Sequence, residues 1–192
     1  MKKKQYRIGV LIMAVFMLMM SFSACSNKVE EEEQQVGMPN PWQETDSSKT
    51  AAEGAGIDEM VIADGIKISL GEVKVDKYRY MDGMIQANVE FPAVEMTIRK
   101  GRPDTAAEEG DISGDYGEYK NSWTQSINTL DVNCYGNREG DSTKTLWKSD
   151  DYLYSVTAFG LGGDTDYGLS ADDLALLVAG IDAVSTAGAE SN

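Results

Sequence analysis

The sequence predicts an α+β domain: a mostly antiparallel, twisted sheet of about six strands, with a short N-terminal helix and a C-terminal amphipathic helix packed on it. Three observations predict it. From Met60 to Phe159 apolar residues recur mainly at every second position, the period of a half-buried strand. Turn-forming stretches such as Asp82-Gly83 and Ser149-Asp150-Asp151 punctuate that run. Beyond it, Leu174, Leu177, Val178 and Ile181 stand at i, i+3, i+4 and i+7, which makes one apolar helical stripe. Strands grouped between two helices, rather than alternating with them, argue against a βαβ repeat.

The chain begins with Lys2, Lys3, Lys4 and Arg7, continues through the apolar run Ile8 to Met20, and reaches Ser21-Phe22-Ser23-Ala24-Cys25. A basic start, a short apolar stretch and small residues before a cysteine form the pattern of a bacterial lipoprotein signal peptide. As a helix, Ile8 to Met20 would be about 20 Å long, short of the hydrocarbon core of about 30 Å. Residues 1–24 are therefore expected to be removed and Cys25 to carry lipid, with acyl chains holding the protein at the extracytoplasmic face of the cell membrane. Residues 25–37 include four consecutive glutamates and no aromatic residue, so they are expected to be an acidic disordered tether. A single domain over 38–185 and a frayed tail over 186–192 complete the expected organisation.

Within the domain, Met38-Pro39-Asn40-Pro41-Trp42 predicts a turn-rich start, with Trp42 as a packing anchor. Thr45 to Ser48 offers N-caps for a short helix over 49–55 that Gly56 ends. Ile66 to Leu70, Val73 to Val75 and Tyr78 to Tyr80 alternate as strand, and Asp82-Gly83 turns the chain into a strand over 84–91. Pro92 predicts an edge, a bulge or a short turn before Val94 to Ile98. Residues 104–121 read as a loop. Strands follow over 123–127, 130–135, 143–148 and 152–159, with Cys134 as a small buried hydrophobe. Ser170 caps the last helix, with Asp173 in a capping-box-like place.

The composition limits the chemistry. The chain has no histidine, which removes Ser-His-Asp and Cys-His nucleophilic sites and histidine-ligated zinc. One cysteine remains beyond Cys25, so no internal disulfide is expected. The 17 basic residues lose four with the signal segment, leaving 13 against 32 acidic ones and a balance of −19, which repels nucleic acid. Arg99 lies near the acidic loop that holds Asp111 and Asp115, so it is expected to pair with Asp111 or Asp115 and lock the loop, or else to build an anion or carboxylate pocket. Asp111-x-Ser113-x-Asp115 and Asp164-x-Asp166 have the alternate oxygens that hard cations use, but turn chemistry accounts for them and no metal or cofactor is expected.

Several stretches occur together in order: Pro39-Asn40-Pro41-Trp42, Tyr80 to Ile85, Ile98-Arg99-Lys100-Gly101, Asp111-Ile112-Ser113-Gly114-Asp115-Tyr116, Trp147 with Tyr152 to Val156, and Leu169 to Leu174. In these the chain resembles a group of uncharacterised lipoproteins of Gram-positive Firmicutes, whose C-terminal part is a domain of unknown function. The resemblance implies an exported, membrane-held α+β domain and carries no activity with it. The expectation is a non-enzymatic binding or structural module whose partners are the membrane, through Cys25, and an unidentified envelope protein or peptide. The alternative is a sensory or regulatory extracytoplasmic domain acting on a membrane partner.

Overall fold

The structure is a computed structural model that describes residues 40–107 and 110–182. Cys25, the acidic tether and the tail over 186–192 lie outside the described residues, as do Glu108 and Glu109.

The centre of the fold is an antiparallel sheet of eight strands, not about six. Its order is β1 (Gln43–Thr45), β4 (Val75–Met81), β5 (Met84–Phe91), β6 (Val94–Gly101), β10 (Tyr152–Gly160), β9 (Lys144–Ser149), β8 (Leu130–Gly136) and β7 (Asn121–Ile127). Two meanders, β4–β6 and β7–β10, join where β10 pairs with β6 along its whole length. Asp82-Gly83 and Pro92-Ala93 make the two-residue turns of the first meander. The additional edge strand is β1, a short run with no apolar alternation that pairs with Tyr78–Tyr80. Of the stretch expected as strand over 66–75, Val75 opens β4 and the rest gives only a separate ribbon of β2 (Lys67–Ile68) and β3 (Gly71–Glu72).

Both predicted helices form. Helix α1 (Ser48–Ala55) is capped by Ser47, whose hydroxyl accepts from Thr50 N, and is stopped by Gly56 at φ 66°. Helix α2 (Ala171–Gly180) is capped by Ser170. Asp173 does not complete a capping box; its carboxylate accepts from the backbone N–H of Ser69, at 2.7 Å, and from the Ser69 hydroxyl, tying α2 to the ribbon. Three alanines of α1 and the stripe Leu174, Leu177, Val178 and Ile181 enter one core with Ile85, Met96, Ile98, Val132, Cys134, Val156 and Ala158. Burying each large aliphatic side chain there stabilises the fold by about 1.5–3 kcal/mol.

The opposite face is crossed by the segment between β6 and β7. Ile112 packs with Met84 and Leu153, and Trp42 packs against the same cluster, as expected of an anchor. Residues 111–119 thus form a strap over the second face. Gly114 is at φ 69°, and a Cβ there would lie 2.3 Å from Arg99 Nη1, so the strap needs glycine at this point.

Candidate functional site

Strand β6 sends successive side chains to opposite faces. Arg99 therefore points to the strap, while Lys100 points to the helix-covered face at the end of the sheet. Lys100 is only 4% exposed. Its ammonium donates to Asp182 Oδ2 at 2.7 Å and to the Glu59 carbonyl at 3.1 Å, and stands 4.6 Å from the Tyr152 ring centre.

The chain delivers Asp182 to that point by leaving α2 through Ile181. Ile181 bridges to Ile62, and Asp182 adopts φ 53°. Its backbone N–H donates to Val61 O and its Oδ1 accepts from Val61 N, each at 2.7 Å. The hydroxyl of Tyr154 donates to Oδ2, the same oxygen that Lys100 holds. Burial, then the bond to Asp182 and its charge, push the Tyr154 phenol well above its ordinary value. The Tyr154 ring stacks on Trp147, with centroids 5.2 Å apart and planes 10° from parallel. A buried ammonium is tolerable here because a carboxylate, a carbonyl and a ring face replace its water.

Above this clasp opens a cleft of about 430 Å³. Trp147, Tyr152, Tyr154 and Leu130 line it, and Asp58, Glu59, Asp150 and Asp151 stand around it. Those four carboxylates come from the loop after α1 and from the β9–β10 turn. Among the described residues none has a lysine or arginine nitrogen within 4.0 Å. Lys100 is neutralised by Asp182, so the cleft carries net negative charge next to aromatic rings. Carboxylates and ring faces both attract cations. The lysine itself is held by its partners and is not presented to the cleft as a free nucleophile.

The residues singled out in the sequence lie on the other face. Arg99 lies under the strap that carries Asp111 and Asp115, but the expected pair is not made: among the described residues Arg99 forms no ion pair with either carboxylate. Arg99 donates from Nη1 to the Ile112 carbonyl at 2.9 Å and from Nε to Gln86 Oε1 at 2.8 Å, and lies 5.3 Å from the Trp42 ring centre. Burial pulls its guanidinium below its ordinary value. The cation that takes Asp111 is Lys144, at 3.1 Å, and the same ammonium donates to the Asp115 carbonyl at 3.1 Å. Asp111 and Asp115 also accept from the backbone N–H groups of Ser113 and Gly117, and the Tyr119 hydroxyl donates to Asp115. Asp164 accepts from Asp166 N in the same way. These oxygens are engaged in turn bonds, and among the described residues no cluster of three or more acidic or cysteine side chains could hold a metal ion.

Sequence reasoning missed Lys100, Lys144 and Asp182. The period of two could have separated Arg99 from Lys100, since neighbours on a strand cannot share a face. Nothing in the sequence marks Asp182, which follows the helix and finds its partner by tertiary packing. No family model, curated protein or solved structure matches the chain.

Proposed function

We propose that this chain is a lipoprotein held through Cys25 at the extracytoplasmic face of a bacterial membrane, and that its domain is a non-enzymatic binding module. The cleft above Lys100 and Asp182 is its contact site for a positively charged group of an envelope partner. The observation that carries the localisation is the run from Lys2-Lys3-Lys4 through Ile8 to Met20 into Ser23-Ala24-Cys25. Among the described residues no helix is long and apolar enough to cross a membrane. The binding role rests on the pairing of aromatic walls with four carboxylates that lack a counter-charge, over a lysine already committed to Asp182.

Two measurements test this reading. Mass spectrometry of the membrane-extracted protein is expected to find a chain that starts at Cys25 and carries acyl chains; an unmodified chain that retains Met1 refutes the anchor. For the cleft, the detergent-solubilised protein is titrated with oligo-lysine and with oligo-glutamate peptides. Binding of oligo-lysine alone, lost in Asp150→Asn/Asp151→Asn and weakened by salt, supports the cleft. Equal binding by the double variant removes the cleft from the reading and leaves the anchor standing.

A further inference from the structure

The two edges of the sheet are unlike. The β1 edge is three residues long, begins just after Pro41, and carries Glu44 in ion pairs with Lys77 and Arg79. Short length, proline and charge are the usual means of blocking edge-to-edge pairing. Strand β7 has none of them. It runs for seven residues, Asn-Ser-Trp-Thr-Gln-Ser-Ile, without a proline or a charged side chain, in a chain of which 26% is charged. Its register with β8 is unbroken, and among the described residues no strand pairs with its outer side.

The hairpin geometry fixes which groups are free. Ile127 pairs with Leu130 across the two-residue turn Asn128-Thr129, so Ile127, Gln125, Trp123 and Asn121 exchange backbone bonds with β8. The N–H and C=O groups of Ser122, Thr124 and Ser126 then point outward, and all three residues are exposed. We propose that β7 is a two-fold interface at which two copies of this chain join their sheets edge to edge, antiparallel and centred on Thr124.

A second copy fits this edge for three reasons. First, the outward positions are palindromic. A two-fold axis at Thr124 sets Ser122 against the partner's Ser126 and Thr124 against the partner's Thr124, so every outward N–H meets an outward C=O. The hydroxyls of Thr124 and Ser126 donate to Asn133 and Asp131 on β8, so toward the partner they accept, and the Ser122 hydroxyl facing the partner's Ser126 is the donor that adds to the backbone bonds. Second, the same register sets the partner's Trp123 opposite Gln125, beside a groove of about 500 Å³ between β7 and α2 that Ile127, Ala175, Leu176 and Ala179 line. Leu176 is 54% exposed, one of three large apolar side chains so exposed among the described residues, and the indole would cover it. Backbone bonds along an edge combined with a pocket for an alternate side chain are the elements of strand addition. Third, the strand itself carries no charge, so two strongly acidic molecules can pair along it without like charges opposite each other, while Asp172 stands at the groove beside it.

The test uses the full chain in detergent. Sedimentation is expected to show a monomer–dimer equilibrium. Thr124→Pro removes an outward N–H and leaves the backbone bonds to β8 intact, losing toward β8 only the exposed Thr124 hydroxyl bond to Asn133, and is expected to weaken the dimer at least about tenfold. Leu176→Asp, on the exposed helix face, is expected to do the same without touching the strand. Paired Thr124 Cα atoms about 5.5 Å apart are within disulfide reach, so Thr124→Cys is expected to cross-link under mild oxidation while Thr50→Cys on α1 does not. A chain that stays monomeric at about 1 mM overturns the proposal. So does a dimer that neither variant weakens, or cross-linking that is no faster at position 124 than at position 50.

Discussion

Lys100 and Lys144 are solvated by the protein in almost the same way. Each gives its ammonium to one aspartate oxygen and one backbone carbonyl, and each stands over two tyrosine rings: Tyr152 and Tyr154 for Lys100, Tyr119 and Tyr135 for Lys144. Burial does not separate them either, since the side chains of the two pairs are 5% and 16% exposed in one case and 10% and 17% in the other. What differs is the span of chain each one closes. Lys100 reaches 41 residues back to Glu59 and 82 forward to Asp182, joining the loop after α1, the central strand and the end of α2. Lys144 reaches only to Asp111 and Asp115 and holds the strap to the sheet. The same chemistry is therefore a clasp on the whole fold in one place and a catch on a single loop in the other.

The comparison makes graded predictions. Lys100→Ala removes the one group that ties Asp182, the Glu59 carbonyl and the central strand together and leaves the Asp182 carboxylate without its counter-ion, so it is expected to cost about 3–5 kcal/mol in urea unfolding. Lys100→Met combined with Asp182→Leu is expected to restore most of that stability, because no uncompensated charge then remains. Lys144→Ala should cost only about 1–2 kcal/mol, since the strap can lift locally and let Asp111 hydrate. Its signature is faster amide exchange over 111–117 with the core unchanged. Equal costs for the two alanine variants would remove the distinction between clasp and catch.

Gly114→Ala attacks the strap without touching a charge. The forced φ of 69° and the close approach to Arg99 predict a loss of about 1–2 kcal/mol, again confined to exchange in the strap. The smallest effects come with pH. Burial pushes the Asp111 carboxyl up, but the Ser113 and Lys144 bonds outweigh it and the net shift is downward. The strap is therefore held fully above the ordinary carboxylate range, and its protection is lost as pH falls below about 4. At the alkaline end, burial and then Asp182 and Asp115 raise the Tyr154 and Tyr119 phenols. Their stabilising contribution is complete below about pH 10 and declines as pH rises above it, because the unfolded chain ionises first. Phenolate absorbance that tracks unfolding, rather than preceding it, checks this.

Local chemistry was legible in the sequence where a residue acts on its own neighbours. Ser47, Gly56 and Ser170 cap the helices they flank, and Asp82-Gly83 makes the expected turn. The core stripe of α2 was legible for the same reason. Strand β1 was not, because Gln43–Thr45 has no apolar period and exists through its partner Tyr78–Tyr80. Asp173 looked like a cap and serves as a tertiary tie to Ser69, because a carboxylate near a helix start can bond either way. The candidate site was hidden for a similar reason. Arg99 and Asp111 are near in sequence and drew attention, whereas Lys100 and Asp182 meet only once the sheet and α2 are both in place.

The position of Asp182 also bears on how the molecule is made. Whatever emerges first, from a ribosome or through a membrane, is the part before it. Until residue 182 arrives, Lys100 has no counter-ion and the end of β6 cannot be dried. An interrupted chain that already holds every strand would still expose that ammonium and stay open to proteases. Asp182, just past α2, is thus expected to act as a completeness check, with protease resistance gained only once it is in place. A ladder of C-terminal truncations exposed to protease should show resistance appearing in one step, between chains that end before Asp182 and chains that extend past it.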